Sequence, residues 1–179
     1  MHVIPVALGL MAATSTAAKA LHYTIPSSFK AVASNCTLPA EFVVANFATY
    51  TDNGNGSSNT VSFEFIDAGT NIQTTCCRNS TSKPSGPGGN RYACDDPSIA
   101  FIYQTTGIAG LTLVERVCPG QSGPQFETSG LVTPALDCTD TASGKICDAK
   151  QKSLQGNFSS FEPVPPAAPV RRTLGPWRG

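Results

Sequence analysis

A chain of 179 residues whose 12 basic and 12 acidic side chains cancel at neutral pH, and of which only 13% is charged, excludes binding dominated by charge. The charges are uneven: from Cys36 to Glu162 seven basic residues stand against all 12 acidic ones, while Arg171, Arg172 and Arg178 sit in the tail. A mildly acidic body argues against nucleic acid as a partner, and no segment beyond the first 20 residues is long and apolar enough for a membrane helix or a lipid-anchor signal.

The chain opens on a leader, residues 1–20. An apolar stretch from Val3 to Ala13 is followed by small residues and by Ala18-Lys19-Ala20, the small-x-small form that a signal peptidase cuts. Export is expected, to an oxidising compartment outside the cell. About 160 residues then remain, enough for one domain with a modest core. Residues 21–35 form an arm of weak pattern. From Glu41 the signal changes: Phe42, Val44 and Asn46 alternate with Val43, Ala45, Phe47 and Thr49, a strand with two largely apolar faces. The polar run from Asp52 to Ser58 is rich in Asn and Gly and precedes the alternating Val61, Phe63 and Phe65, which predicts a hairpin.

Asn71 to Cys77 is a third, shorter strand. Arg78 to Asn90 holds Pro84, Pro87 and three glycines and is a loop. Ile99 to Tyr103 is a strand, Thr106 to Gly110 a turn, and Leu111 to Val117 a further strand with Thr112 and Arg116 on its wetter face. Gln121 to Pro124 turns again, and Phe126 to Leu136 holds one or two strands around Gly130. No stretch keeps a helical period beyond two turns. Short strands between regular turn signals predict an all-β fold, a compact antiparallel barrel or sandwich, covering residues 36–162. From Pro163 to Gly179 the chain is Pro-rich, then basic, and is read as a disordered tail. Arg171-Arg172 is read as part of that basic tail.

Seven cysteines bear on both fold and function. They stand at 36, 76, 77, 94, 118, 138 and 147. A metal reading fails on spacing, because no Cys-x-x-Cys pair occurs and the only histidine beyond the leader is His22, in the arm. A disulfide framework is expected instead. Cys138 and Cys147 flank a polar turn, Thr139 to Ile146, and Cys94 follows the Gly/Pro loop that begins after Cys77. Neighbours on a strand point to opposite faces, so only one of Cys76 and Cys77 reaches Cys94. The other needs Cys36 or Cys118, or stays unpaired. Since seven is odd, one thiol is left over, either buried and free or bonded to another chain.

Catalytic signals are weak. His22 lies outside the patterned body, and no phosphate loop, nucleophile elbow or lysine base motif occurs; neither a catalytic site nor a cofactor is expected. A secreted hydrolase with a carboxylate pair would draw on Glu64, Asp95, Asp96, Glu115 and Glu127. However, Asp95-Asp96-Pro97-Ser98 has the composition of a turn, and Glu64 and Glu115 alternate with apolar neighbours as solvent-facing strand positions. Tyr50, Tyr92 and Tyr103 are candidates for stacking on sugars, with core packing the expected use of Tyr103. Asn-x-Ser/Thr triplets begin at Asn35, Asn55, Asn79 and Asn157. Asn35 adjoins a cysteine expected to bond, whereas glycans are expected at Asn55, Asn79 and Asn157.

The order of elements from Cys36 to Ala149 resembles the family of small secreted fungal proteins typified by the major Alternaria allergen. The matching features are Cys36 ahead of Phe42-Val43-Val44-Ala45-Asn46-Phe47, then Val61-Ser62-Phe63-Glu64-Phe65, and the Cys76/Cys77 pair ahead of a polar loop closing at Arg91-Tyr92-Ala93-Cys94. Ile99 to Tyr103, Leu111 to Arg116 and the Leu131…Cys138…Cys147 ending follow. The resemblance implies an antiparallel β-barrel without an enzymatic site. It maps local disulfides to Cys76 or Cys77 with Cys94, Cys77 being the expected member, and to Cys138 with Cys147. It maps an intersubunit cysteine to Cys36, with Cys76 and Cys118 departing from the pattern and able to capture Cys36 internally; the alternative is a disulfide-linked homodimer. It further implies an allergen, elicitor or effector acting on a host extracellular protein or on cell-wall material. The alternative is a structural or carbohydrate-binding component of the fungal wall.

Overall fold

The computed structural model describes residues 19–33, 36–54, 59–85, 89–118 and 125–164. The leader up to Ala18, Asn35, Asn55, the turn from Gln121 to Pro124 and the tail from residue 165, with Arg171-Arg172, lie outside the described residues. Eleven strands are described: β1 (Glu41–Asp52), β2 (Thr60–Asp67), β3 (Ile72–Arg78), β4 (Tyr92–Ala93), β5 (Ile99–Gln104), β6 (Gly110–Val117), β7 (Phe126–Val132), β8 (Leu136–Asp140), β9 (Gly144–Ala149), β10 (Ser153–Asn157) and β11 (Ser160–Pro163). The fold is all-β and antiparallel, as expected. One sheet runs β3-β2-β1-β9-β8, with β10 also on β1, and the other runs β11-β7-β6-β5-β4. The two pack as a sandwich.

The two apolar faces of β1 have a local cause. Ala45 pairs with Glu64 and Ala48 with Ser62, so Asn46 and Phe47 together oppose Phe63 in a bulge. Asn46 takes φ 54°, a left-handed conformation that Asn tolerates better than most residues. The extra residue flips the phase of the pleat. Phe42 and Val44 face inward before it, and Phe47 and Thr49 after it. On the other edge β1 is flanked by β10 along Glu41–Ala45 and by β9 along Ala48–Asp52. The Asn46 N–H donates to Lys152 O, 2.9 Å, where β9 hands over to β10.

The main core joins Phe42, Phe47, Phe63 and Phe65 of one sheet to Ile99, Phe101, Leu111 and Leu113 of the other. Phe42 lies 4.9 Å from Phe158 and 6.0 Å from Phe65, centroid to centroid. It fits because Gly130 of β7 and Gly156 of β10 have no side chain; a Cβ on either would collide with its ring. A second cluster forms at the far end of β6 and β7, where Val117, Cys118, Phe126 and Phe161 meet Tyr23, Ile25, Phe29, Cys36 and Leu38. The arm thus has a structural role that its weak pattern hid. It holds a 3-10 turn (Ser27–Phe29) and a short helix (Lys30–Ala33), and it sets Phe29 edge-on to Phe126 and Tyr23 stacked on Phe161.

Three disulfides are present: Cys36–Cys118, Cys76–Cys94 and Cys138–Cys147. The Cys77–Cys94 assignment is corrected. On β3, Thr74 and Cys76 face the core while Gln73, Thr75 and Cys77 face solvent, so the inward Cys76 meets Cys94. Cys77 is the free cysteine, and it is exposed rather than buried. Cys36, mapped by resemblance to an intersubunit link, is bonded within the chain to Cys118 and anchors the arm. The polar segment around Cys138 and Cys147, expected as a turn, is a hairpin with those two residues directly opposite. β8 is exposed along most of its length, so no apolar alternation announced it.

Candidate functional site

The carboxylates named from the sequence are dispersed. Glu127 is held by Arg91 through two parallel hydrogen bonds of 2.8 Å, with Arg116 at 3.6 Å. Asp96 accepts from Ser98 N at 2.8 Å and Ser98 Oγ at 2.6 Å, the turn chemistry its neighbours suggest. Glu64 and Asp95 do converge. With Gln73, Thr74 and Thr75 they line a shallow polar groove of about 430 Å³ on the outer side of β2 and β3. Asp95 N donates to Thr75 O, 2.9 Å. That bond turns the backbone groups of Thr75 away from β2, and those of Gln73 and Cys77, at the same phase, turn with them.

Glu115 is corrected from a solvent-facing position to a buried one, with 1% of its surface exposed. The reason is parity. Leu111, Leu113, Glu115 and Val117 share one face of β6, and that face is the core. Glu115 lies between the two apolar clusters, opposite the buried Thr128 of β7. Beside it is Asp67, 2% exposed, which the sequence reading did not single out. Asp67 ends β2 in phase with the inward Val61, Phe63 and Phe65, and that phase was the available signal. Its Oδ1 accepts from Gly69 N at 2.6 Å and Thr70 N at 3.3 Å.

This interior pair is electrostatically strained. Asp67 Oδ2, Thr70 Oγ1 and Glu115 Oε2 are buried without hydrogen-bond partners, an arrangement that costs free energy. Burial, then the neighbouring charge of Asp67, pushes the Glu115 carboxyl up to about 8; Asp96 adds to this and the Thr70 hydroxyl acts against it. Glu115 is therefore a neutral acid at neutral pH, poised beside a carboxylate. Tyr23 of the arm is the nearby phenol; burial first, then Glu115 and Asp67, hold its proton on more tightly than usual. Its hydroxyl donates to Pro39 O, 2.7 Å.

The three tyrosines are engaged in packing. Tyr50 donates its hydroxyl to Ser143 O, 2.8 Å, and its ring lies over Gly144. The Arg78 guanidinium sits 5.5 Å above the Tyr92 ring. Tyr103 packs 5.2 Å from Phe47, and burial pushes its hydroxyl up. Asn79 and Asn157 are both exposed, and Asn79 Oδ1 accepts from Thr81 N and Thr81 Oγ1. His22 is exposed on the arm. Among the described residues no group of three or more His, Cys, Asp or Glu side chains is arranged to hold a metal, and no helix is long and apolar enough to cross a membrane.

The cysteine assignment is directly testable. A thiol reagent added to the native, unreduced protein labels one cysteine per chain, and peptide mapping places the label on Cys77. Label on Cys76 would reverse the pairing.

No family model matches the chain, and no curated protein matches it. Among solved structures, a crystal structure of the Alternaria alternata allergen Alt a 1 is 14% identical, with a TM-score of 0.48 over 70% of this chain and 89% of that one. A second crystal structure of the same major allergen is 13% identical, with a TM-score of 0.47 over 71% of this chain and 96% of that one.

Proposed function

We propose that the chain is an exported, non-enzymatic binding protein of the allergen, elicitor or effector kind that the sequence resemblance implies, and that it engages a host extracellular component along β3. The observation that carries this reading is the outer side of β3. Gln73, Thr75 and Cys77 present exposed side chains there, and Glu64 and Asp95 add two carboxylates to the same groove. The surface offered is this face of exposed side chains, since the strand's outer edge is taken by the chain's own segment, with Asp95 N on Thr75 O and Asp96 N on Thr74 Oγ1, each at 2.9 Å. Three disulfides fit a protein that works in an oxidising space, and each bridge constrains the unfolded chain.

The test is binding of the purified protein to host extracellular proteins, together with a host defence-response assay, for the wild type and a Glu64→Lys/Asp95→Lys variant. The wild type binds or elicits, and the variant is at least ten-fold weaker. A clean null for the wild type in both assays across several hosts overturns the proposal. Retention on insoluble wall polysaccharide, undiminished in the variant, moves the protein to the wall-component reading.

A further inference from the structure

We propose that Glu115 and Asp67 form a proton-dependent latch on the N-terminal arm: while they share a proton the arm stays docked, and loss of that proton releases residues 21–33 from the end of the sandwich. This inference is independent of the β3 reading. It rests on where the two carboxyls lie. They sit on the inward faces of β6 and β2, between the main core and the cluster that the arm completes. Each has an oxygen without a partner. A single proton between two such groups satisfies one as donor and the other as acceptor; two negative charges in the same buried space leave both uncompensated.

Among the groups around Glu115 only the Thr70 hydroxyl favours a second charge, and burial and the neighbouring acids outweigh it. Asp67 comes from the end of β2, Thr70 from the turn that follows, Asp96 from the segment before β5 and Tyr23 from the arm. The charges acting on Glu115 are thus those of Asp67 and Asp96, both negative. Tyr23 has its hydroxyl committed to Pro39 O. Water is the remaining source of stabilisation, and the arm is the least expensive element to move aside. It contributes one ring stacked on Phe161 and one against Phe126, and its helix is four residues long. The sheets beneath are held by paired strands and by two further disulfides. Cys36–Cys118 keeps the base of the arm attached, so release swings the arm out and uncovers Val117, Phe126 and Phe161.

The arm also carries a charged contact on its exposed side, where His22 lies close enough to act on the Glu41 carboxylate; Lys19, which bonds the same group, belongs to the leader. The experiment must separate the two. It uses the full secreted chain with its disulfides intact, in a Cys77→Ser background so that no thiol exchanges at alkaline pH. Amide hydrogen exchange of the arm peptide is measured at pH 5, 7 and 9 and corrected for the intrinsic pH dependence of exchange, with peptides of β1, β2 and β6 as internal references. Arm protection falls at least ten-fold between pH 5 and 9 while the strands keep theirs, and Glu115→Gln abolishes the fall. Asp67→Asn is the second variant, and it moves the release to higher pH. Arm protection that does not change with pH, that falls equally in Glu115→Gln, that falls only together with the strands, or that is restored by His22→Gln instead, overturns the latch.

Discussion

A Glu115→Gln variant unfolds at a clearly higher denaturant concentration than the wild-type chain at pH 8, and at nearly the same concentration at pH 4. The sign follows from where the proton resides. Glu115 rises from its ordinary 4.5 in the unfolded chain to about 8 in the folded one. Below 4.5 both states hold the proton, and the folded state carries no penalty. Between 4.5 and 8 the unfolded chain has lost it and the folded chain has not, so stability falls as pH rises, at about 1.4 kcal/mol per pH unit. Above 8 both states are ionised and the fall levels off, at a total of about 4–5 kcal/mol. Glutamine is neutral throughout, so its profile lacks this descent and the variant gains most where the wild type has lost most. The check is the denaturant midpoint by far-ultraviolet circular dichroism at pH 4, 6 and 8. Parallel profiles for the two proteins would mean that Glu115 is solvated.

Phe42→Ala lowers the stability of the fold by about 3–5 kcal/mol, the range for truncating a fully buried aromatic ring that leaves a cavity. Phe42 is 1% exposed and touches three elements besides its own. It packs on Phe65 of β2 and on Phe158 just past β10, and the glycines of β7 and β10 close on its ring. A cavity there cannot collapse readily, because backbone rather than movable side chain forms two of its walls. The effect appears as a lower denaturant midpoint at an unchanged slope. Gly156→Ala strains the same contact from the opposite side, typically at 1–3 kcal/mol for overpacking. A Phe42→Ala loss under about 1 kcal/mol would place this ring outside the core.

The strands that carry the main core were legible because one face of each is apolar. β1, β2, β3, β5, β6 and β7 all fall where alternation and turn residues put them. β8 to β11 were not legible, for a physical reason. β8 is exposed nearly throughout, and β10 buries little beyond Gly156, so their sequences are set by solvent and by close approach rather than by a core face. The arm escaped notice because its contacts use Tyr23, Ile25 and Phe29, two and then four residues apart, so no single period runs through them. The groove carboxylates Glu64 and Asp95 were named from the sequence, but nothing local placed them together; that came from Asp95 folding back onto Thr75.

By itself the sequence determined an all-β class, the main strands and a framework of disulfides, since pleat periodicity and cysteine count are properties of the chain as written. It also established that Cys76 and Cys77 must face opposite ways. Only the tertiary structure decided which of them faces the core, because a one-residue choice of phase is settled by the partner strand and not by the strand itself. The same is true of Glu115 and Asp67. The sequence reading put Glu115 on the solvent side and passed over Asp67; the packing of two sheets and an arm made the face that each shares with apolar neighbours an interior one, turning two ordinary acids into a buried pair.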